Sequence, residues 1–346
     1  MMALRMADAV TVLGALLLVY VALPRLLMPG WFRRDAVACV ISAASLQAVL
    51  GMLWSVLVRA YPGGQAAAWL LALLALAWFE RRRVSPPVAS SGIPLLLALI
   101  VLAGVVLRLL HPLTTAALGQ SDAYSHLQFL RDFVAGAHVR HPYYPAGYHA
   151  LLALPAWLFS LDPYLMARYG GAFAGALSVL VLARFAGACS PRPAVALYAA
   201  VLVACNPVSF LLAKTGVGAF PNQWGLVLIP FCLLAYTRVR AADPAARGWC
   251  LAFAGLAASV PMMLIDLLQI LALDLAVSWC RREWRIRARH LLAALLLAAV
   301  VIVASVPFFQ ADHRNLLIMV NVLTDGSAPI PHLAAAAGQL VADYFS

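Results

Sequence analysis

Apolar runs long enough to cross a bilayer recur along this chain, and nothing else constrains its fold as strongly. They occupy Ala9–Leu27, Ala36–Val58, Pro94–Leu110, Leu165–Ala188, Ala194–Leu212 and Leu291–Phe308, with shorter runs at Ala66–Phe79 and Trp224–Tyr236. A helix needs about 20 apolar residues to span about 30 Å of hydrocarbon, and lipid admits only helices or closed barrels. Hydrophobic residues make up 65% of the 346, and charged residues 11%, outside the range of soluble domains. The expected fold is an all-α, polytopic transmembrane protein with roughly eight full spans. The first run lacks a long basic leader and a small-residue cleavage site, so it reads as a retained span and not a signal peptide.

The net charge is +11, from 23 Arg and a single Lys against 13 acids. Most of the Arg lie in short loops between apolar runs, which fits topology and anionic headgroups and not nucleic acid. Basic clusters at Arg33-Arg34, Arg81 to Arg83, Arg184 to Arg192, Arg238 to Arg247 and Arg281 to Arg289 all fall in the cytoplasm under the positive-inside rule. Only two full crossings then fit between Arg83 and Arg184. The apolar Ala146–Phe159 helix is therefore expected at the outer interface, or dipping in without crossing. Trp249–Cys280 must leave and return quickly, which favours two partial helices bent near Pro261, a short broken hairpin, over one long helix.

Three regions follow: N-terminal spans over 1–92, a core over 93–310 holding the outer loop 112–145, and an outer tail over 311–346. Six scattered cysteines (Cys39, Cys189, Cys205, Cys232, Cys250, Cys280) have neither metal spacing nor a disulfide framework and read as small buried hydrophobes.

The long polar stretch SDAYSHLQFLRDFVAGAHVRHPYYPAGYH runs from Ser121 to His149, and five of the eight histidines lie between His111 and His149. Ser121 can cap a helix starting at Asp122, whose carboxylate suits the positive helix end. At about 100° per residue, Asp122, His126, Phe129 and Phe133 share a face, while Leu127, Leu130 and Val134 share another. An amphipathic interfacial helix results, expected to turn an acidic face to water and an apolar face to lipid. The four-residue step from Asp122 to His126 lets the two share a proton or a metal ion. A divalent metal (Mg²⁺ or Mn²⁺) on Asp122 with His126 or His149 is the one cofactor candidate, without a clean three-ligand signature. Asp132, about 80° round the helix, is expected to pair with Arg131 or Arg140, and Arg108 to snorkel towards the interface.

The order of acid, four-residue step to His, amphipathic helix, then Tyr-Pro-x-Gly-x-His opening an apolar helix (Asp122, His126, Tyr144 to His149) resembles the first outer loop of the GT-C superfamily. The Pro29-Gly30 turn upstream strengthens the likeness. These are integral-membrane glycosyltransferases that use polyprenyl-phosphate sugars. The resemblance covers residues 95–310 in organisation and 119–150 in specific residues. It implies a GT-C-like core, with Asp122 as catalytic base and His126 and His149 positioning it or the sugar. The second outer loop departs from the family, offering Lys214, Asn222 and Gln223 where another acid is common.

The implied function is transfer of a sugar from a polyprenyl-phosphate donor to a cell-envelope glycan, lipid or protein acceptor, with inversion. The site would sit on the outer face of a bacterial inner membrane. A phosphate leaving group needs no acid, so one carboxylate base and cations suffice. Lys214 and Arg314 are candidate phosphate ligands, with Tyr144, Tyr148 and Asp266 as further substrate-binding candidates. Asp274, deeper in the same segment, would pair with an Arg. Membrane acids default to a functional reading, so a transporter or flippase is the alternative class, though no inverted repeat is visible. A non-catalytic GT-C-like subunit serving a membrane partner is the third.

Overall fold

The computed structural model describes residues 2–57, 62–81, 95–118, 121–136, 146–206, 220–240 and 249–280, with single positions at 292, 296 and 299. Every regular element among them is a helix. Helix α1 (Met2–Leu17) passes through a π-helical turn, Leu18–Ala22, into α2 (Leu23–Leu27), and α3 (Pro29–Arg34) follows. Pro24 has no N–H to offer the carbonyl four residues back, and its ring crowds that carbonyl. The turn widens, with the Leu23 N–H donating to Leu18 O.

The chain continues through α4 (Ala36–Leu57), α5 (Pro62–Arg81), α6 (Leu95–Thr114), α7 (Ser121–Val134), α8 (Gly147–Leu158), α9 (Pro163–Cys189) and α10 (Pro193–Cys205). It then forms α11 (Phe220–Arg240), α12 (Trp249–Ser259) and α13 (Pro261–Cys280). The last two meet at Val260, because Pro261 donates no hydrogen bond and pushes its predecessor out of the helical region.

Among the described residues, four helical stretches are long and apolar enough to cross a membrane: Met2–Leu27, Ala36–Ser55, Leu95–Thr114 and Pro163–Cys189. Gly63–Phe79 and Pro193–Cys205 are apolar but shorter. That is half of the roughly eight expected. Nearly all of Leu291–Phe308 and the whole 311–346 tail lie outside the described residues.

Helix α9 is the spine, packing against α1, α6, α7, α8, α10 and α11, while α4 gathers α3, α5, α8 and α12. The two ends of this bundle are built differently. At one, Asp35 caps α4 by accepting from the Ala38 N–H at 2.9 Å and pairs with Arg184 near the end of α9. At the other, α6 ends beneath two arginines: Arg5 donates to Leu113 O at 2.9 Å and Arg168 to Pro112 O at 2.9 Å. Cations over the last carbonyls of a helix meet both its free acceptors and its negative dipole end.

Several sequence expectations change. Arg108 does not snorkel: it is 6% exposed and donates to Gly104 O (3.0 Å), Val203 O (3.1 Å) and Ala204 O (3.4 Å). It thus closes the C-terminal end of α10, whose carbonyls have no helical partner. Gly175 makes room for it, since a Cβ there would fall 2.1 Å from Arg108 Cδ. Asp274 accepts from Tyr236 OH at 2.6 Å, tying α13 to α11 through a phenol. Asp132 likewise takes Gln128 Nε2 at 2.8 Å in place of Arg131. Cys39 and Cys232 are buried as expected, but Cys189 and Cys205 are exposed.

Candidate active site

The site grows from how α7 and α8 meet. Helix α8 is 12 residues long, about 18 Å, too short to cross the hydrocarbon. Every residue from Gly147 to Ala156 is buried, so α8 is a helix held inside protein and does not lie on a lipid surface. Its start is pressed against the end of α12: a Cβ on Gly147 would come within 2.4 Å of Ala258 O. The glycine of the Tyr-Pro-x-Gly-x-His pattern is thereby explained by close backbone approach. The positive start of α8 also meets the negative end of α12.

Two hydroxyl and amide donors grip α8 just beyond His149. Pro155 cannot donate to the Leu151 carbonyl four residues back. Tyr20, in the π-helical turn, supplies that bond from its phenol at 2.6 Å. Gln47 of α4 donates to the neighbouring Ala150 O at 3.1 Å. The two fix the rotation and depth of α8, and so where His149 points.

Helix α7 lies on α8 and α9 with Ala123, His126, Leu127, Leu130 and Phe133 buried, while Tyr124, Ser125, Gln128 and Arg131 are exposed. The expected division into a wet His126 face and a lipid face does not hold. These positions are three or four apart and form one seam, and that seam is covered by α8 and α9 instead of by water or lipid. His126 is 3% exposed and His149 1%.

On this seam His126 Nδ1 lies 3.0 Å from His149 Nε2. Phe129 presents its edge to both rings, at 6.3 Å from His126 and 5.6 Å from His149. Tyr148 is edge-on to His149 at 5.8 Å. Burial raises the Tyr148 phenol above its ordinary pKa, so it stays protonated at neutral pH. The structure therefore places His126, His149 and Tyr148 together.

Asp122 belongs to the first turn of α7, one turn before His126. Its side chain lies outside the described residues, as does that of Asp266 in α13. Tyr144, Lys214 and Arg314 are outside them altogether. Among the described residues no group of three His, Cys, Asp or Glu side chains could hold a metal ion. The Asp122–His126 metal pair rests on sequence spacing.

Four residues that shape this end were missed by sequence reasoning. Tyr20 and Gln47 hold α8. Arg168 and Tyr164 bind the α9 start to the segment leading into α7: Arg168 also donates to Thr115 O and to Tyr164 OH at 2.5 Å, and Tyr164 OH donates to Ala116 O. Pro155 was the readable signal for Tyr20, since an interior proline frees a carbonyl that a buried helix must satisfy elsewhere. No protein-family model, curated protein or solved structure matches this chain.

Proposed function

We propose that the protein is a GT-C type membrane glycosyltransferase that moves a sugar from a polyprenyl-phosphate donor to a cell-envelope acceptor, with the site at the α7 end of the bundle. The observation that carries this reading is the buried His126–His149 contact one helical turn from Asp122. Two imidazoles locked between helices, with a carboxylate residue on the adjacent turn, form a proton-handling group and not packing alone.

In this reading Asp122 takes the proton from the acceptor hydroxyl as that oxygen attacks the anomeric carbon. The bond from that carbon to the phosphate oxygen breaks, and its electron pair leaves with the phosphate. One displacement inverts the centre, so a second carboxylate is not needed. His126 and His149 set the base, Lys214 and Arg314 meet the phosphate, and Tyr144, Tyr148 and Asp266 line the sugar. No step requires the candidate Mg²⁺ or Mn²⁺. The positive-inside pattern of the sequence favours an outward-facing position for this end, which suits envelope acceptors.

The test is transfer in proteoliposomes supplied with polyprenyl-phosphate pentoses and hexoses and an envelope extract. Asp122→Asn is expected to lower the rate about 10²–10⁴-fold while leaving the unfolding temperature unchanged. Equal transfer by the variant removes Asp122 as base.

A further inference from the structure

The geometry of the histidine contact says more than that two rings touch. The ring centres are 5.2 Å apart, only 2.2 Å more than the nitrogens themselves at 3.0 Å. That difference is filled by two ring radii laid end to end, so centre, nitrogen, nitrogen and centre lie nearly on one line. An imidazole N–H points radially outward from its ring, as does the lone pair of an unprotonated nitrogen. The arrangement is therefore that of a straight N–H···N hydrogen bond. One metal ion held by both nitrogens would need two lone pairs converging off that line, about 2.0–2.1 Å from each. The rings would have to swing apart to accept it.

We propose that His126 and His149 act as one unit that holds a single proton between Nδ1 and Nε2 and carries the acceptor's proton away from Asp122. The second half of that statement rests on the transferase reading; the first rests on the ring geometry alone. Each ring has one nitrogen in the shared bond and one outside it, so the pair can take a proton in at one end. A proton arriving at His126 Nε2 lets the Nδ1 proton cross to His149 Nε2, and the pair then holds the added proton as one imidazolium. Two N–H bonds form and one breaks, the shared bond is reversed, and the return of the proton by the same path resets the pair. Two positive imidazoles cannot face each other at 3.0 Å, since both would present protons to the same gap.

The charged residues on the helices around the pair are few. On α7 the charged residues are Asp122, Arg131 and Asp132; Arg131 is exposed and Asp132 is bonded to Gln128. On α8 the titratable neighbour is the phenol of Tyr148, and α12 carries no charged residue. On α4, Asp35 is engaged by Arg184 at the opposite end. On α9, the nearest cation in sequence to this end, Arg168, is taken up by the α6 carbonyls. Helices α1 and α5 also pack on α8 and carry Arg5, Asp8, Glu80 and Arg81; Asp122 stands one helical turn before His126 in α7. The grip of Tyr20 and Gln47 on α8 keeps the alignment from drifting.

The decisive variant is His149→Gln, whose amide reaches the place of Nε2 and keeps a hydrogen bond to His126 but cannot relay a proton. Nitrogen-15 NMR of histidine-labelled protein in lipid nanodiscs, followed as pH falls, reads the first half. The expected result is a nitrogen–nitrogen coupling between the two rings and uptake of one proton by the pair. The coupling should be lost in His149→Gln at unchanged unfolding temperature. Two rings titrating independently to the doubly charged state, without coupling, would overturn the unit. The second half is read by transfer rate in mixtures of H₂O and D₂O. His149→Gln is expected to be slowed about 10²-fold, with fewer exchangeable protons in flight. A variant with wild-type rate and pH profile overturns the relay while the transferase stands. A coupled pair in protein that transfers no sugar sinks the transferase reading and leaves the shared proton supported, so the two failures are told apart.

Discussion

Arg108 and the His126–His149 pair are both polar groups buried within an apolar helical bundle, yet they are satisfied in opposite ways. Arg108 gives its donors to backbone carbonyls of α6 and α10, and those of Val203 and Ala204 lie where α10 ends and its helical partners run out. Its neighbours are shaped around it, down to the missing side chain at Gly175. The two histidines instead bond to each other, ring to ring, and the backbone around them is satisfied by other residues. A charge that closes a helix end is accounted for by the fold. A titratable ring pair buried at one end of the bundle is not, and that is where chemistry is to be sought.

Three substitutions sharpen this contrast. Arg108→Leu should have the largest effect on stability, about 2–4 kcal/mol, because it strands buried carbonyls. Thermal unfolding in detergent reads that loss, and the coupling between the two histidine rings should survive in the fraction still folded. Gly147→Ala should cost less stability, about 1–3 kcal/mol from overpacking against Ala258, but should shift α8 and abolish the ring coupling. The comparison breaks if Arg108→Leu erases the coupling while Gly147→Ala spares it. Tyr20→Phe is the mildest, about 1–2 kcal/mol for one buried carbonyl left bare beside Pro155. Its transfer rate should fall further than its stability implies, since α8 is then free to rotate about His149.

Much of the architecture was legible in residues whose physics is local. Apolar runs mark spans, Pro261 marks the break between α12 and α13, and the Asp122–His126–His149 order marks the polar end. What sequence could not supply was which surface covers which. Leu127, Leu130 and Val134 read as a lipid-facing stripe because nothing in their spacing distinguishes lipid from another buried helix; α8 is that helix. Arg108 reads as a snorkelling cation because its acceptors lie 95 and 96 residues away, at Val203 and Ala204. The same holds for Gln47, whose partner Ala150 is 103 residues distant. Gly147 had a local signal, the glycine of the Tyr-Pro-x-Gly-x-His order, but the reason for it sits on α12.

The central claim is that this end of the bundle receives a lipid-linked sugar, and native mass spectrometry of the purified protein tests it most directly. Wild type and Asp122→Asn should both be released from detergent and searched for co-purified lipid before and after incubation with envelope acceptor. The account predicts a polyprenyl-phosphate sugar retained by Asp122→Asn and discharged from wild type when acceptor is added. Bulk phospholipid alone on both proteins, unchanged by acceptor, would contradict it.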